Sequence, residues 1–282
     1  MKTRNLILSA TVATIAVVAG TIAYHAHATR AAITGFERTV INRATERSAP
    51  WTETLPDTLP EPVARYFAYV FPDGPPDHAY VEIEAAGQFR RPLTETFQPT
   101  TARQVISLRA PDLVFSADTP LWGPVWAIAY DAYIDGQMEM AAKLLSTVTV
   151  MYETSTPALN RTSLRRWLLE SPAYPMALLP GGPVTWEPVD DNRSRAVVRA
   201  FGEEAALVAT FDADGALTRF DAETDGDLTT PYHGSGEHTA RSDYQMIDGV
   251  RVPLAFTIAR AAGGEIIPFW EGRITAIRFG GT

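Results

Sequence analysis

The stretch Ala79-Tyr80-Val81-Glu82-Ile83-Glu84-Ala85 decides the fold. Val81, Ile83 and Ala85 alternate with Glu82 and Glu84, a period of two that gives an extended segment one apolar and one wet face. The same period recurs at Ala102, Gln104, Ile106 and Leu108, at Trp126, Ile128 and Tyr130, and at Val148, Val150 and Tyr152. Farther along, tight-turn residues punctuate the chain at Asp190-Asp191-Asn192, Gly202-Glu203, Asp212-Ala213-Asp214-Gly215, Asp248-Gly249 and Gly263-Gly264. Short strands at this spacing, with no internal repeat, predict a mainly β (α+β) fold. We expect a curved antiparallel sheet or half-barrel carrying a few covering helices.

Three segments change the period. Ile33, Phe36, Val40 and Ala44 form one stripe of a helix over residues 31–48. Val63, Phe67 and Val70 share a face of a second helix, roughly 60–70, which ends before Pro72-Asp73-Gly74-Pro75-Pro76. Leu164, Trp167 and Leu168 mark a third, with Thr162 or Ser163 as its cap and Pro172 and Pro175 as its stop.

Ahead of all these, residues 6–23 form an uncharged run preceded by Lys2 and Arg4. At about 1.5 Å per residue the run just crosses a hydrocarbon layer of roughly 30 Å. Its basic flank keeps that end in the cytoplasm and sends the rest outward. Ala26-His27-Ala28 has the small-x-small form of a signal-peptidase site, so both a cleaved signal and an uncleaved anchor fit; the run's length favours the anchor. The expected organisation is a signal-anchor or signal peptide at 1–28, a juxtamembrane helix and linker at 29–54, and one β-rich exported domain at 55–282. The expected location is the inner or cytoplasmic membrane with the body exported, periplasmic or extracytoplasmic if the signal is cut.

Composition narrows the partners. The 282 residues carry 24 Lys+Arg against 33 Asp+Glu. Without residues 1–28 the balance is 22 to 33, a formal −11 that excludes a nucleic-acid surface and disfavours adsorption onto anionic lipid. There is no cysteine, which removes thiol chemistry, disulfides and a lipoprotein anchor.

Several motifs resemble a bacterial family of unknown function. They are Leu59-Pro60-Glu61-Pro62-Val63-Ala64-Arg65-Tyr66-Phe67, Gly87-Gln88-Phe89-Arg90, Phe97-Gln98-Pro99-Thr100-Thr101-Ala102-Arg103-Gln104 and Asp131-Ala132-Tyr133-Ile134-Asp135-Gly136. Arg166-Trp167-Leu168-Leu169-Glu170, Pro175-Met176-Ala177-Leu178-Leu179-Pro180 and Asp243-Tyr244 with Gly249 and Pro253 continue the series. In this order they are similar to the family catalogued as domain of unknown function 6544, over about residues 59–279. Phe97 and Tyr174 stand where that pattern has tryptophan, and Met138 where it often has a second glycine. The resemblance implies placement and fold without a catalytic set. By analogy, the architecture is similar to the half-barrels of periplasmic lipoprotein carriers.

The candidate site is aromatic. Trp122, Trp126 and Tyr130 fall at even spacing with Phe115 upstream, and Trp167 with Leu164 and Leu168 is placed to cover the Trp126–Tyr130 face. Phe89, Phe97, Phe115, Trp126, Tyr130 and Trp167 are the expected lining of a cavity for a hydrophobic small molecule or lipid. Glu170 is either a surface partner of Arg166 or, if aimed into the mouth, a polar anchor meeting Arg65 or Arg90. A carrier of this kind needs a cavity of roughly 300 Å³ or more. A filled core instead favours a protein-interaction or scaffold module of the envelope. An enzyme would rest on His233, Glu237, His238 and Asp243, but a histidine offset of five puts the two rings on opposite faces of a strand. Gly234-Ser235-Gly236 lacks the spacing of a nucleophile elbow, and Asp212 to Glu223 lacks the central glycine of a calcium loop. No catalytic residue, metal or cofactor is expected.

Overall fold

The alternation at Tyr80–Arg90 is the first strand, β1, of a long antiparallel ladder. The computed structural model describes residues 2–47, 51, 55–56, 58–91, 94–226 and 236–281. Helix α1 (Lys2–Glu46) and helix α2 (Glu61–Val70) precede β1. Then come β2 (Phe97–Ser107), β3 (Leu113–Trp122), β4 (Val125–Ile134), β5 (Gln137–Leu144) and β6 (Val148–Thr154). Helix α3 (Pro157–Glu170) leads into two single 3-10 turns, Ser171–Ala173 and Pro175–Leu178. The chain finishes with β7 (Val184–Asp190), β8 (Arg193–Ala200), β9 (Glu203–Phe211), β10 (Leu217–Asp221), β11 (Glu237–Ile247), β12 (Val250–Ala262) and β13 (Glu265–Gly280).

Among the described residues these strands make one sheet, in the order β6-β5-β4-β3-β2-β1-β13-β12-β11-β10-β9-β8-β7. Two meanders therefore meet at the β1–β13 seam. The chain runs out from β1 to β6, crosses through α3, and returns from β7 to β13. Along the seam Gly87 faces Gly272, and a Cβ on Gly87 would lie 2.1 Å from the Glu271 carbonyl oxygen. Only glycine permits that approach, and a register shift between Glu84 and Ala85 adds local twist. Helix α3 touches β5, β8, β9 and β11, strands far apart in the sheet order, so the sheet curls around it.

Two of the predicted helices start earlier than expected. Helix α3 starts earlier than Thr162 or Ser163, because Thr156 caps it, accepting from the Leu159 N–H, and Pro157 occupies the first turn where a missing N–H costs nothing. The helix expected over 31–48 is continuous with the apolar run, and α1 runs unbroken through Ala26-His27-Ala28. From Ser9 onward it is long and apolar enough to cross a membrane.

The second half of α1 packs on the convex face. Ile33 and Val40 of the expected stripe, with Phe36 partly buried beside them, face a patch made by Val105, Val114, Ile128, Tyr130, Ala132 and Ala141, and Ala44 is buried as well. Burial of Ile33 and Val40 contributes about 1.5–3 kcal/mol each. Charged contacts fix the helix lengthwise. Arg43 Nε and Arg47 Nη1 donate to Asp112 Oδ2 at 3.2 and 2.9 Å, and the fully buried Asp112 also accepts the Asp135 N–H at 2.7 Å. Arg103 donates to Glu37 at 2.9 Å, and Arg30 forks onto Asp118 with both distances 3.2 Å.

Asp112→Ala leaves Arg43 and Arg47 with Asp135 alone and the Asp135 N–H without its acceptor, so it should lower unfolding stability by about 3 kcal/mol. Hydrogen exchange should speed up over residues 33–44 before it does in β1 or β13. Equal protection in both proteins would show that the carboxylate does not hold the helix.

Candidate functional site

The concave side of the sheet is occupied by a plug made of α3 and the two 3-10 turns. Leu164, Trp167, Leu168, Tyr174 and Met176 are buried there. Trp167 Nε1 donates to the Ser107 carbonyl at 3.1 Å, and the Tyr174 hydroxyl donates to the Trp167 carbonyl at 2.6 Å. Each large polar aromatic in the plug therefore buries its ring and satisfies its one donor.

A polar cluster lies between plug and sheet. Arg166 bridges Asp131 of β4 and Glu170, donating to Glu170 Oε1 at 2.9 Å, and its guanidinium sits 4.3 Å from the Phe115 ring centre. Gln104 Nε2 donates to Glu170 Oε2 at 2.7 Å. Burial lifts the Asp131 carboxyl above its ordinary range even though Arg166 pulls it down. Burial also works against the Arg166 charge, but Glu170 and Asp131 outweigh it and hold that guanidinium above its usual value.

Arg241 of β11 completes the set and is treated differently. It is 5% exposed, and neither its Nε nor its Nη2 has a hydrogen-bond partner. Its guanidinium lies 5.5 Å from the Phe256 ring centre. Burial pushes it below the ordinary arginine range, opposed by the nearby Glu170 carboxylate. Arg241, Glu170 and Gln104 border a cavity whose other walls include Ile83, Ile258 and Trp270. Its volume is about 10 Å³, room for about one water molecule. The roughly 300 Å³ that a preformed carrier site requires is not found here.

The expected lining divides between two faces. Trp167 and Glu170 lie in the plug, Phe115 stacks under Arg166, and Phe89 packs at 6.4 Å from Trp270 at the rim of the cavity. Phe97 stands farther out, under Arg90 at 5.1 Å. Trp126 and Tyr130 do share a face, but it is the convex one. Tyr130 packs against Phe36 of α1 at 6.1 Å and donates to Glu139 at 2.8 Å, so Trp167 does not cover it. Glu170 meets neither Arg65, which pairs with Glu61, nor Arg90, which donates to the Pro268 carbonyl at 2.6 Å. Its pairing with Arg166 is as expected but buried instead of on the surface.

The histidine and carboxylate set does not converge. Glu237 pairs with Arg165 at 2.8 Å, His238 Nδ1 lies 2.5 Å from Asp221, and Asp243 pairs with Arg273. Burial opposes the Asp221 charge, but His238 and Arg219 outweigh it and hold that carboxyl below its ordinary range. His233 and Ser235 lie outside the described residues. Among the described residues no group of three or more histidines and carboxylates is placed to hold a metal ion. Asp212 caps its own hairpin by accepting from the Asp214 and Ala216 N–H groups, and Glu223 pairs with Arg195.

Sequence reasoning missed Arg241, Asp131 and Gln104 as a unit. Thr239 and Arg241 occupy alternate, buried positions of one strand, so the inward arginine is visible only once the strand's buried parity is known. The buried cluster sets a stability contrast: Glu170→Gln should lower unfolding free energy by about 2 kcal/mol, since Arg166 and Gln104 lose a charged acceptor. Glu61→Gln, in the exposed pair with Arg65, should cost less than about 1 kcal/mol. Urea titration of the two variants reads the difference, and equal losses would contradict the burial argument.

Among solved structures, the fold is similar to a LolA superfamily protein from Nitrosomonas europaea, with a TM-score of 0.36 and 9% identity over 77% of this chain and 91% of that one. A β-barrel-like protein of domain of unknown function 1849 from Brucella abortus gives a TM-score of 0.23 at 9% identity, over 72% of this chain and 98% of that one. No curated protein matches the chain. The sequence pattern of a different family from the one its motifs suggested, family of unknown function DUF6920 and not 6544, matches residues 57–279. That match runs from the turn before α2 to the end of β13, across plug, seam and cavity alike, and the chain therefore belongs to the DUF6920 family.

Proposed function

We propose that this protein is tethered to a membrane by α1, with its body on the extracytoplasmic side, and that the half-barrel binds a lipid-like amphiphile without chemistry. The polar or anionic head meets Arg241, and the apolar part lies along Ile83, Phe256, Ile258 and Trp270. Phe89, Phe115 and Trp167 flank that path.

The observation that carries this reading is the unpartnered guanidinium. Leaving buried donors of a charged group unmatched costs several kcal/mol, and a carboxylate or phosphate oxygen is the acceptor that offsets it best. The small cavity sets a condition. An acyl chain is accommodated only when the plug moves off the sheet, so binding on this reading requires that movement. A second reading draws on that same small volume: with the plug permanently seated, the protein is an interaction module of the envelope that binds other proteins through its outer surface.

Native mass spectrometry of the full chain, extracted in mild detergent, distinguishes the two. The carrier reading expects a lipid-sized adduct on the wild type and none on Arg241→Met. It also expects Arg241→Met to melt higher, because an apolar side chain of similar length replaces an unpaired buried cation. A bare wild-type chain leaves the interaction module standing. A lower melting temperature for the variant would mean that the fold itself uses the guanidinium, which removes the argument for a head-group site.

A further inference from the structure

The charged contacts of α1 fix where the sheet stands relative to the apolar run. Arg43 is pinned at Asp112, just before β3, and Arg30 at Asp118, late in β3. Thirteen helical residues span about 20 Å and six strand residues about 20 Å, so helix and strand run side by side without slippage. Thr29, which accepts from Lys143 of β5 at 3.4 Å, places the far end of the β5 strand at the same level. Continuing along β3 from Asp118 to Trp122 adds about 13 Å, the rise of about nine helical residues. The tip of the β3–β4 hairpin therefore reaches the level of Thr21 to Tyr24, the last turn of the apolar run. The β5–β6 tip sits beside it, since the Leu145 N–H donates to the Trp126 carbonyl at 2.9 Å.

These tips have an unusual surface. Trp122 is 67% exposed and Val148 58%, beside Tyr24 at 70% on the helix. Residues 119–130 and 144–152 contain no charged side chain at all, in a body whose formal charge is −11. A soluble end of an acidic domain has no reason to expose a tryptophan in an uncharged patch, whereas indole rings settle at the boundary between head groups and hydrocarbon.

We infer that the β3–β4 and β5–β6 hairpin tips, led by Trp122 and Val148, insert into the interfacial layer of the same bilayer that α1 crosses. The body thus holds the membrane at two places, one spanning and one interfacial. This inference rests on the reading of α1 as a membrane anchor.

The absence of cysteine makes the test direct. Single-cysteine chains Ile15→Cys, Pro124→Cys and Asp191→Cys, each full length and carrying a nitroxide label, are reconstituted into phosphatidylcholine vesicles. Collision with oxygen and with a water-soluble nickel chelate then reports depth. The expected result is a label at 15 deep in the bilayer, a label at 124 shielded from nickel at a shallower depth, and a label at 191 open to nickel. Adding Trp122→Ser to the 124-labelled chain should shift that label toward the value at 191. A label at 124 as open as the one at 191, with 15 still deep, overturns the hairpin contact and leaves the anchor intact. A label at 15 open to nickel overturns both. Shielding at 124 that Trp122→Ser does not reduce overturns the role given to Trp122.

Discussion

The buried carboxylate of Asp112 is the contact on which the arrangement depends. It lies at the head of β3 with no exposure, and it is stable there only because two arginines of α1 and the Asp135 N–H converge on it. A lone buried charge would be expelled; this one converts a helix that could lie anywhere on an apolar patch into a helix with one position. Everything on the convex face follows. Val105, Val114 and Tyr130 can be apolar because α1 is always above them, and β2 to β4 can be buried on both faces. Residues 29–46 are thus part of the folded body as much as an extension of the apolar run.

The concave side answers the same question, how to bury charge, in two ways. Arg166 is saturated: Asp131, Glu170 and the Phe115 ring surround it. Arg241, on the small cavity, has apolar walls and a carboxylate whose oxygens are already engaged by Arg166 and Gln104. Arg166, its side chain 24% exposed, has its partners, while in the buried Arg241 neither Nε nor Nη2 does, so the two are difficult to explain as equivalent pieces of packing. The saturated one accounts for the plug's seat; the unsaturated one is the reason to look for a ligand.

The hairpins were legible because turns are local: Asp190-Asp191-Asn192, Asp212 to Gly215 and Asp248-Gly249 each specify backbone conformation within a few residues. Periodicity likewise placed Trp126 and Tyr130 on one face. It could not say which helix covers that face, since that depends on contacts between residues about a hundred positions apart. A hint was present in Ala127-Ile128-Ala129-Tyr130-Asp131-Ala132-Tyr133-Ile134, nearly apolar on both parities, as a strand buried on two sides should be. The continuity of α1 was obscured by the cleavage-like Ala26-His27-Ala28. Yet no proline or glycine lies between Gly20 and Gly35, so nothing in the sequence stops the helix there. The Arg241 cavity had no sequence signal of its own, because it forms where strands β1, β2 and β11–β13 meet the plug.

An unbroken helix from the apolar run to the sheet also fixes an azimuth. Each helical residue turns the chain by about 100°, so one residue added or removed between Tyr24 and Thr29 would swing the whole half-barrel around the helix axis by nearly a third of a circle. A flexible tether would absorb such a change unnoticed. Here the number of residues in that short stretch sets which side of the body lies in line with a given face of the apolar run, as a key's bitting depends on the angle at which the shaft enters the lock.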